Sequence, residues 1–250
     1  MRHFAIYPDT FDGNTLGYWR FGERAGDLAG EIAGQPALTN YGAQRGEDGY
    51  RFVTGQSDYL QASYPAQPAR AQLTLEGWVR DYQTATGLYG AVVTYALAAD
   101  DSKQLTILCH RNATPANSYI CTRLRVDGGG NVGDATWYGA DADAVLASKA
   151  PWHVAGVLNA PASLKLFVDG VERASDTTGI VAQAAGDSIV WVGRYRLSYS
   201  FFPSCVIDEV RVSAAVRYAA DFAVHRFGQS RRAVRGSWGE PLGLAAGLVT

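Results

Sequence analysis

The sequence is poor in the residues that carry most recognisable chemistry. It has three cysteines, Cys109, Cys121 and Cys205, and four histidines, His3, His110, His153 and His225, at spacings that make no zinc constellation. An odd number of cysteines cannot pair fully within one chain. No apolar run reaches the length of about eighteen residues that a membrane-spanning helix needs, so membrane insertion is not expected. The opening stretch, Met1-Arg2-His3-Phe4-Ala5-Ile6-Tyr7-Pro8-Asp9, lacks the apolar core of a secretory signal. The chain is therefore expected to be made in the cytosol and to stay soluble. An excess of one charge is missing too: 22 Lys and Arg oppose 24 Asp and Glu, for a net charge of −2. Neither nucleic acid nor an anionic surface is an expected partner.

Catalytic signatures are equally scarce. There is no Gly-x-Ser-x-Gly nucleophile turn. Gly128-Gly129-Gly130 is followed by no lysine–serine pair and reads as a loop rather than a phosphate cradle. Asn112-Ala113-Thr114 fits a glycosylation pattern but has no secretory route to use it.

What is present is glycine (28), tyrosine (14) and tryptophan (6), a composition suited to short strands joined by tight turns. The apolar period is two almost throughout. Leu73-Thr74-Leu75-Glu76-Gly77-Trp78-Val79-Arg80 alternates, as does Leu164-Lys165-Leu166-Phe167-Val168. The latter runs into Asp169-Gly170, the signature of a two-residue hairpin turn. Further strands are expected near residues 16–21, 50–52, 59–61, 91–97, 105–110, 119–126, 152–158, 188–193 and 206–212. About a dozen strands at this spacing predict an all-β fold of two packed antiparallel sheets. Residues 213–224 read as the one helical stretch, a short surface connector. Residues 1–14 and 227–250 show no alternation and are expected to be irregular arms flanking a sandwich over 15–226. If 112–117 is a hairpin loop centred on Pro115, Cys109 and Cys121 lie opposite each other, a geometry that permits a cross-strand disulfide. Without a secretory signal, reduced and packed thiols are the expectation.

Five stretches, in order, resemble the laminin-G-like, concanavalin A-like lectin/glucanase superfamily. They are Leu16-Gly17-Tyr18-Trp19-Arg20-Phe21; Tyr50-Arg51-Phe52 leading to Ser57-Asp58-Tyr59-Leu60; Leu73-Thr74-Leu75-Glu76-Gly77-Trp78-Val79; Trp152-His153-Val154-Ala155-Gly156-Val157 with residues 164–170; and Ile207-Asp208-Glu209-Val210-Arg211-Val212. The resemblance implies a jelly roll whose sheet face and edge loops bind sugars or protein ligands. It also implies a structural calcium in many relatives, for which Asp208 and Glu23 are the ligand candidates here. Glu23 stands one place later than the family pattern, with Gly22 directly after Phe21.

Read from the residues alone, Val206, Asp208, Val210 and Val212 share parity, which predicts Asp208 on the core side. A buried carboxylate there needs hydrogen-bond donors, an arginine or a cation. A satisfied hydrogen-bond network is the first reading and calcium the second; no other cofactor is expected. The enzymatic members carry Glu-x-Asp-x-x-Glu on one strand, because glycoside cleavage needs two carboxylates across the scissile bond. No segment fits: the acids of residues 172–176 have the wrong spacing, and Asp208-Glu209 places neighbouring acids on opposite faces.

Exposed aromatics are where a sugar would stack. Trp137 and Tyr138, in a region expected to be loop, and Tyr195 and Tyr199 are the candidates, with Arg194 and Arg196 as hydrogen-bond donors. Trp19, Trp78, Trp152 and Trp191 are expected to fill the sandwich. The functional expectation is a non-enzymatic structural or adhesion protein. Its expected setting is a bacteriophage particle, as a capsid decoration or tail-associated protein made in the host cytoplasm. The partners would be protein neighbours in a homo-oligomer or larger assembly, together with glycans. The alternatives are a lectin domain on a cell surface or outside the cell by a signal-independent route, and, third, a glycoside hydrolase.

Overall fold

The computed structural model describes residues 12–21, 32–46, 49–53, 56–83, 89–100, 103–126, 130–195 and 203–224. In chain order the strands are β1 (Thr15–Trp19), β2 (Thr39–Tyr41), β3 (Gln44–Gly46), β4 (Gly49–Phe52), β5 (Tyr59–Gln67), β6 (Gln72–Gln83), β7 (Tyr89–Leu97) and β8 (Gln104–His110). A 3-10 turn, Pro115–Asn117, leads to β9 (Tyr119–Val126), β10 (Gly130–Tyr138) and one helix, α1 (Ala140–Ala147). Then follow β11 (Trp152–Asn159), β12 (Ser163–Val168), β13 (Val171–Asp176), β14 (Gly186–Val192) and β15 (Ser204–Ser213). Every strand pair between these elements is antiparallel.

They form two sheets. Sheet A runs β13-β12-β11-β6-β15-β4-β3, with β1 also on β15; sheet B runs β10-β9-β8-β7-β14-β5-β2. The alternation seen in the sequence decides the faces: Leu73, Leu75 and Val79 of β6 point into the space between the sheets. They meet Leu105, Ile107, Ile120, Val190 and Val192 of sheet B there, with Trp19, Phe52 and Trp152. This is the two-sheet antiparallel sandwich that the period-two pattern predicts. The Asp169-Gly170 pair turns β12 into β13 with both residues at positive φ, +50° and +78°, as a two-residue hairpin requires.

Five expectations are corrected. Residues 214–224 are not a helix but an extended strap laid over the outer face of sheet A, where Val216, Tyr218 and Phe222 cover Ala155, Val157 and Phe167. Burial of those rings outweighs alanine's local preference for helix. The helix lies instead at α1. Trp137 and Tyr138 are not in a loop but end β10.

Cys109 and Cys121 are not opposite. The register pairs Cys109 with Ile120 and Leu108 with Cys121, so Cys109 faces the core and Cys121 the outer face of sheet B. All three cysteines are free and buried.

Asp208 does not share the core side with Val210 and Val212. A bulge opens between Asp208 and Val210 opposite Trp78 and Gly77, with Glu209 at φ +50°. One extra residue flips the parity: Cys205 and Ile207 face the core before the bulge, Val210 and Val212 after it. Asp208 is half-buried on the outer side and Glu209 is the buried acid.

The four tryptophans are all buried, yet only Trp19 and Trp152 belong to the core between the sheets. Trp78 and Trp191 alternate with core residues and lie on the outer faces. Of the arms expected at 1–14 and 227–250, only residues 12–14 are among the described residues. Asp12 is described and clamps Arg217 of the strap, accepting from Nη2 at 2.6 Å and Nη1 at 3.0 Å.

Candidate functional site

The two outer faces differ in what they leave open. On sheet A the strap seals a charged network. Glu76, fully buried, accepts from Arg211 Nε at 2.5 Å and Tyr218 Oη at 2.6 Å, and His153 Nε2 lies at 3.2 Å. Burial works against ionising Glu76, but Arg211 and His153 outweigh it and hold the carboxyl at about 2. Glu209 has the opposite fate. Burial dominates, neighbouring Asp208 and Glu76 add to it, and its pKa rises to about 8 although Tyr18 Oη donates to it. These acids are committed to the fold. Among the described residues no group of three or more His, Cys, Asp or Glu is placed to hold a metal ion. Glu23 lies outside them, and Asp208 is beside an acid already bonded to Tyr18. The residues that are described do not assemble a calcium cage of six to eight oxygens.

Sheet B presents a different surface. Register places Tyr89, His110, Tyr119 and Tyr138 side by side across β7, β8, β9 and β10. Their ring centroids follow at 4.7, 5.0 and 5.2 Å. His110 and Tyr119 are nearly buried, and burial pushes the imidazole pKa down and the phenol pKa up. Tyr138, at the sheet edge, is 61% exposed. A ring braced on one side and open on the other is a rigid contact surface that loses little conformational freedom on binding.

The next rung is Ala91, Leu108, Cys121 and Thr136, and Tyr195 packs over Ala91, Leu108 and Cys121. Beyond it come Thr94, Thr106, Arg123 and Asp134. Arg123 grips Asp134 Oδ2 through Nε at 2.9 Å and Nη2 at 2.5 Å, while Thr136 donates to Oδ1. The opposite edge carries a second pile. Arg194 lies 4.4 Å over Tyr59 and 5.5 Å from the Trp191 ring, and Tyr41 stacks on Tyr59 at 4.4 Å and 9° while remaining 43% exposed. Trp191 is fixed by its Nε1 donating to Gln61 at 2.9 Å.

Of the residues chosen from the sequence, Tyr138, Tyr195 and Arg194 lie on this face, Tyr138 and Arg194 towards opposite edges, and Tyr195 is buried rather than solvent-facing. Trp137 points the other way, half-buried against the core with Arg173 4.7 Å over its ring. Tyr199 and Arg196 lie outside the described residues. Tyr89, His110 and Tyr119 escaped sequence reasoning. Their only signal is that each stands at the end of an alternating run, and pairing them requires the register.

Residues 54–222 match the family described as the concanavalin A-like lectin/glucanases superfamily. No curated protein matches in sequence. Among solved structures, domain 4 of an extracellular arabinanase from Geobacillus stearothermophilus, in complex with arabinotriose, is similar at 15% identity. Its TM-score is 0.52, over 81% of this chain and 93% of that one. The binding domain of botulinum neurotoxin DC in complex with SialylT is similar at 7% identity and TM-score 0.59, over 82% of this chain and 48% of that one. At these identities the likeness is one of fold.

Proposed function

Because this chain belongs to the concanavalin A-like lectin/glucanase superfamily, we propose that it is a carbohydrate-binding module that holds a glycan on the outer face of sheet B without cleaving it. One observation carries the reading: Tyr138 is exposed and braced by Tyr119 on a sheet face that runs between two aromatic piles. Sugar rings present flat C–H faces to such aromatics, and neighbouring hydroxyls find the half-buried Arg123 and Thr136. The two solved structures just described were captured with a sugar ligand in one case and SialylT in the other, which supports the class of ligand.

Binding without cleavage is argued from the acids. Hydrolysis needs an acid and a second carboxylate on either side of the bond, roughly 5 to 10 Å apart. Asp134, on this face, has both oxygens engaged by Arg123 and Thr136, while Glu76 is fully buried within the network on the other sheet. The glycan reading does not depend on the phage-particle setting expected from the sequence, on which the described residues do not bear. Screening the full chain and Tyr138→Ala on a glycan array tests the proposal. Signals on a defined set of glycans that vanish in the variant support it; no signal from the native chain, or one indifferent to the substitution, rejects it.

A further inference from the structure

We infer that the glycan is acidic and that Arg125 reads its anionic group. The inference rests on the carbohydrate-binding reading above and extends it from ligand class to ligand charge. Arg125 lies on β9 with the same parity as Tyr119, Cys121 and Arg123, so its side chain leaves the outer face of sheet B. Its surroundings set it apart from Arg123, Arg211 and Arg217. Arg123 is answered by Asp134, Arg211 by Glu76 and Arg217 by Asp12. Arg125 has no carboxylate partner among the described residues. Its Nη1 donates to Tyr195 Oη at 3.1 Å, and its Nε is buried without an acceptor.

A half-buried guanidinium with no carboxylate partner among the described residues has lost part of its hydration and gained one neutral hydrogen bond in return. Guanidinium is also the side chain best shaped to take a carboxylate or sulfate through two parallel N–H donors. Asp134, paired with Arg123 across the strands, is neutralised by that guanidinium and does not oppose an incoming anion. Tyr195 connects the positions, since it belongs to the same buried cluster as Tyr119 and accepts from Arg125. Arg125 is six residues along β9 from Tyr119, about 20 Å at ~3.3 Å per residue. The ligand is therefore a chain of several sugars that stacks on Tyr138 at one end and carries its charge to Arg125 at the other.

The test compares three hexasaccharides of similar length on the full chain: an oligogalacturonide, a sulfated glycosaminoglycan fragment and a neutral xylan fragment. At low salt at least one acidic probe is expected to bind about tenfold tighter than the neutral one, the gain of one charge-assisted contact. The acidic probe that gains identifies carboxylate or sulfate as the group. Raising the salt should narrow the gap. Arg125→Gln should abolish it while leaving neutral affinity within about twofold, and Arg125→Lys should restore part of it; thermal unfolding shows whether each variant is folded. Equal affinity for all three probes, or a gap that survives Arg125→Gln, overturns the inference. If neutral binding that depends on Tyr138 persists without a gap, only the charge assignment falls. Binding of no glycan, on array or in titration, removes both.

Discussion

Tyr119 and Tyr138 occupy directly paired positions on β9 and β10, with ring centroids 5.2 Å apart, one nearly buried and the other largely exposed. The buried ring is thus the support of the exposed one. Tyr119→Ala should weaken glycan binding although Tyr119 is not the contacting ring. It should also cost about 3 kcal/mol of stability, as removal of a buried aromatic does. Tyr138→Ala should weaken binding with stability changed by no more than about 0.5 kcal/mol. Urea unfolding and ligand titration on both variants separate the support from the contact.

The turn residue Gly170 carries the strap as well as the hairpin. It sits at φ +78°, its carbonyl accepts from Phe222 N at 2.8 Å, and a Cβ placed there would come within 2.0 Å of the Phe222 carbonyl oxygen. Gly170→Ala is expected to destabilise by about 1 to 3 kcal/mol and to lift the strap from Phe167. Hydrogen exchange should speed up at residues 216–222 in this variant. Unchanged protection there would refute the anchoring role.

Glu209 and Glu76 set opposite slopes of stability with pH. A carboxyl whose folded pKa is raised, from 4.5 to about 8, binds its proton more tightly when folded. Its contribution is complete below pH 4.5 and lost as pH rises towards 8. Glu76, held at about 2, contributes above pH 4.5 and loses that contribution as pH falls towards 2. Glu209→Gln should flatten the fall in stability between pH 4.5 and 8 and leave the acid limb intact. An unaltered alkaline limb in denaturant titrations would contradict the burial of this acid.

The same strand shows how far a sequence can be read. The period-two runs of β6, β11 and β12 and the Asp169-Gly170 turn suffice for two packed sheets, because each core face repeats without interruption. In β15 the pattern was misleading. Val206, Asp208, Val210 and Val212 look like one face, but the bulge at Glu209 adds a residue and exchanges the roles of Asp208 and Glu209. Bulges and registers depend on partner strands far away in the chain. That is why the aromatic row of Tyr89, His110, Tyr119 and Tyr138 was legible only at its exposed end. The strap was misread for a related reason: its alanines favour helix locally, and its rings are claimed by a distant sheet.

Register also bears on the thiols. Cys109 and Cys121 point to opposite faces of sheet B, so they cannot close a disulfide without breaking the sheet. Burial raises the pKa of Cys121 to about 12 and pushes that of Cys109 well above the ordinary thiol value. Three thiols should react with a thiol reagent in denaturant and none in the folded protein. Two fewer reactive thiols after unfolding without reductant would show a bridge that this register forbids.

In the proposed function an exposed tyrosine, fixed by its neighbours across the sheet, takes hold of a sugar. Isothermal titration of the strongest array ligand into the native chain and into Tyr138→Ala measures this most directly. Affinity should fall at least tenfold in a variant whose unfolding midpoint is unchanged, a loss typical of a central aromatic contact. Equal affinity in the two proteins would place the ligand away from Tyr138 and overturn its role as the sugar contact.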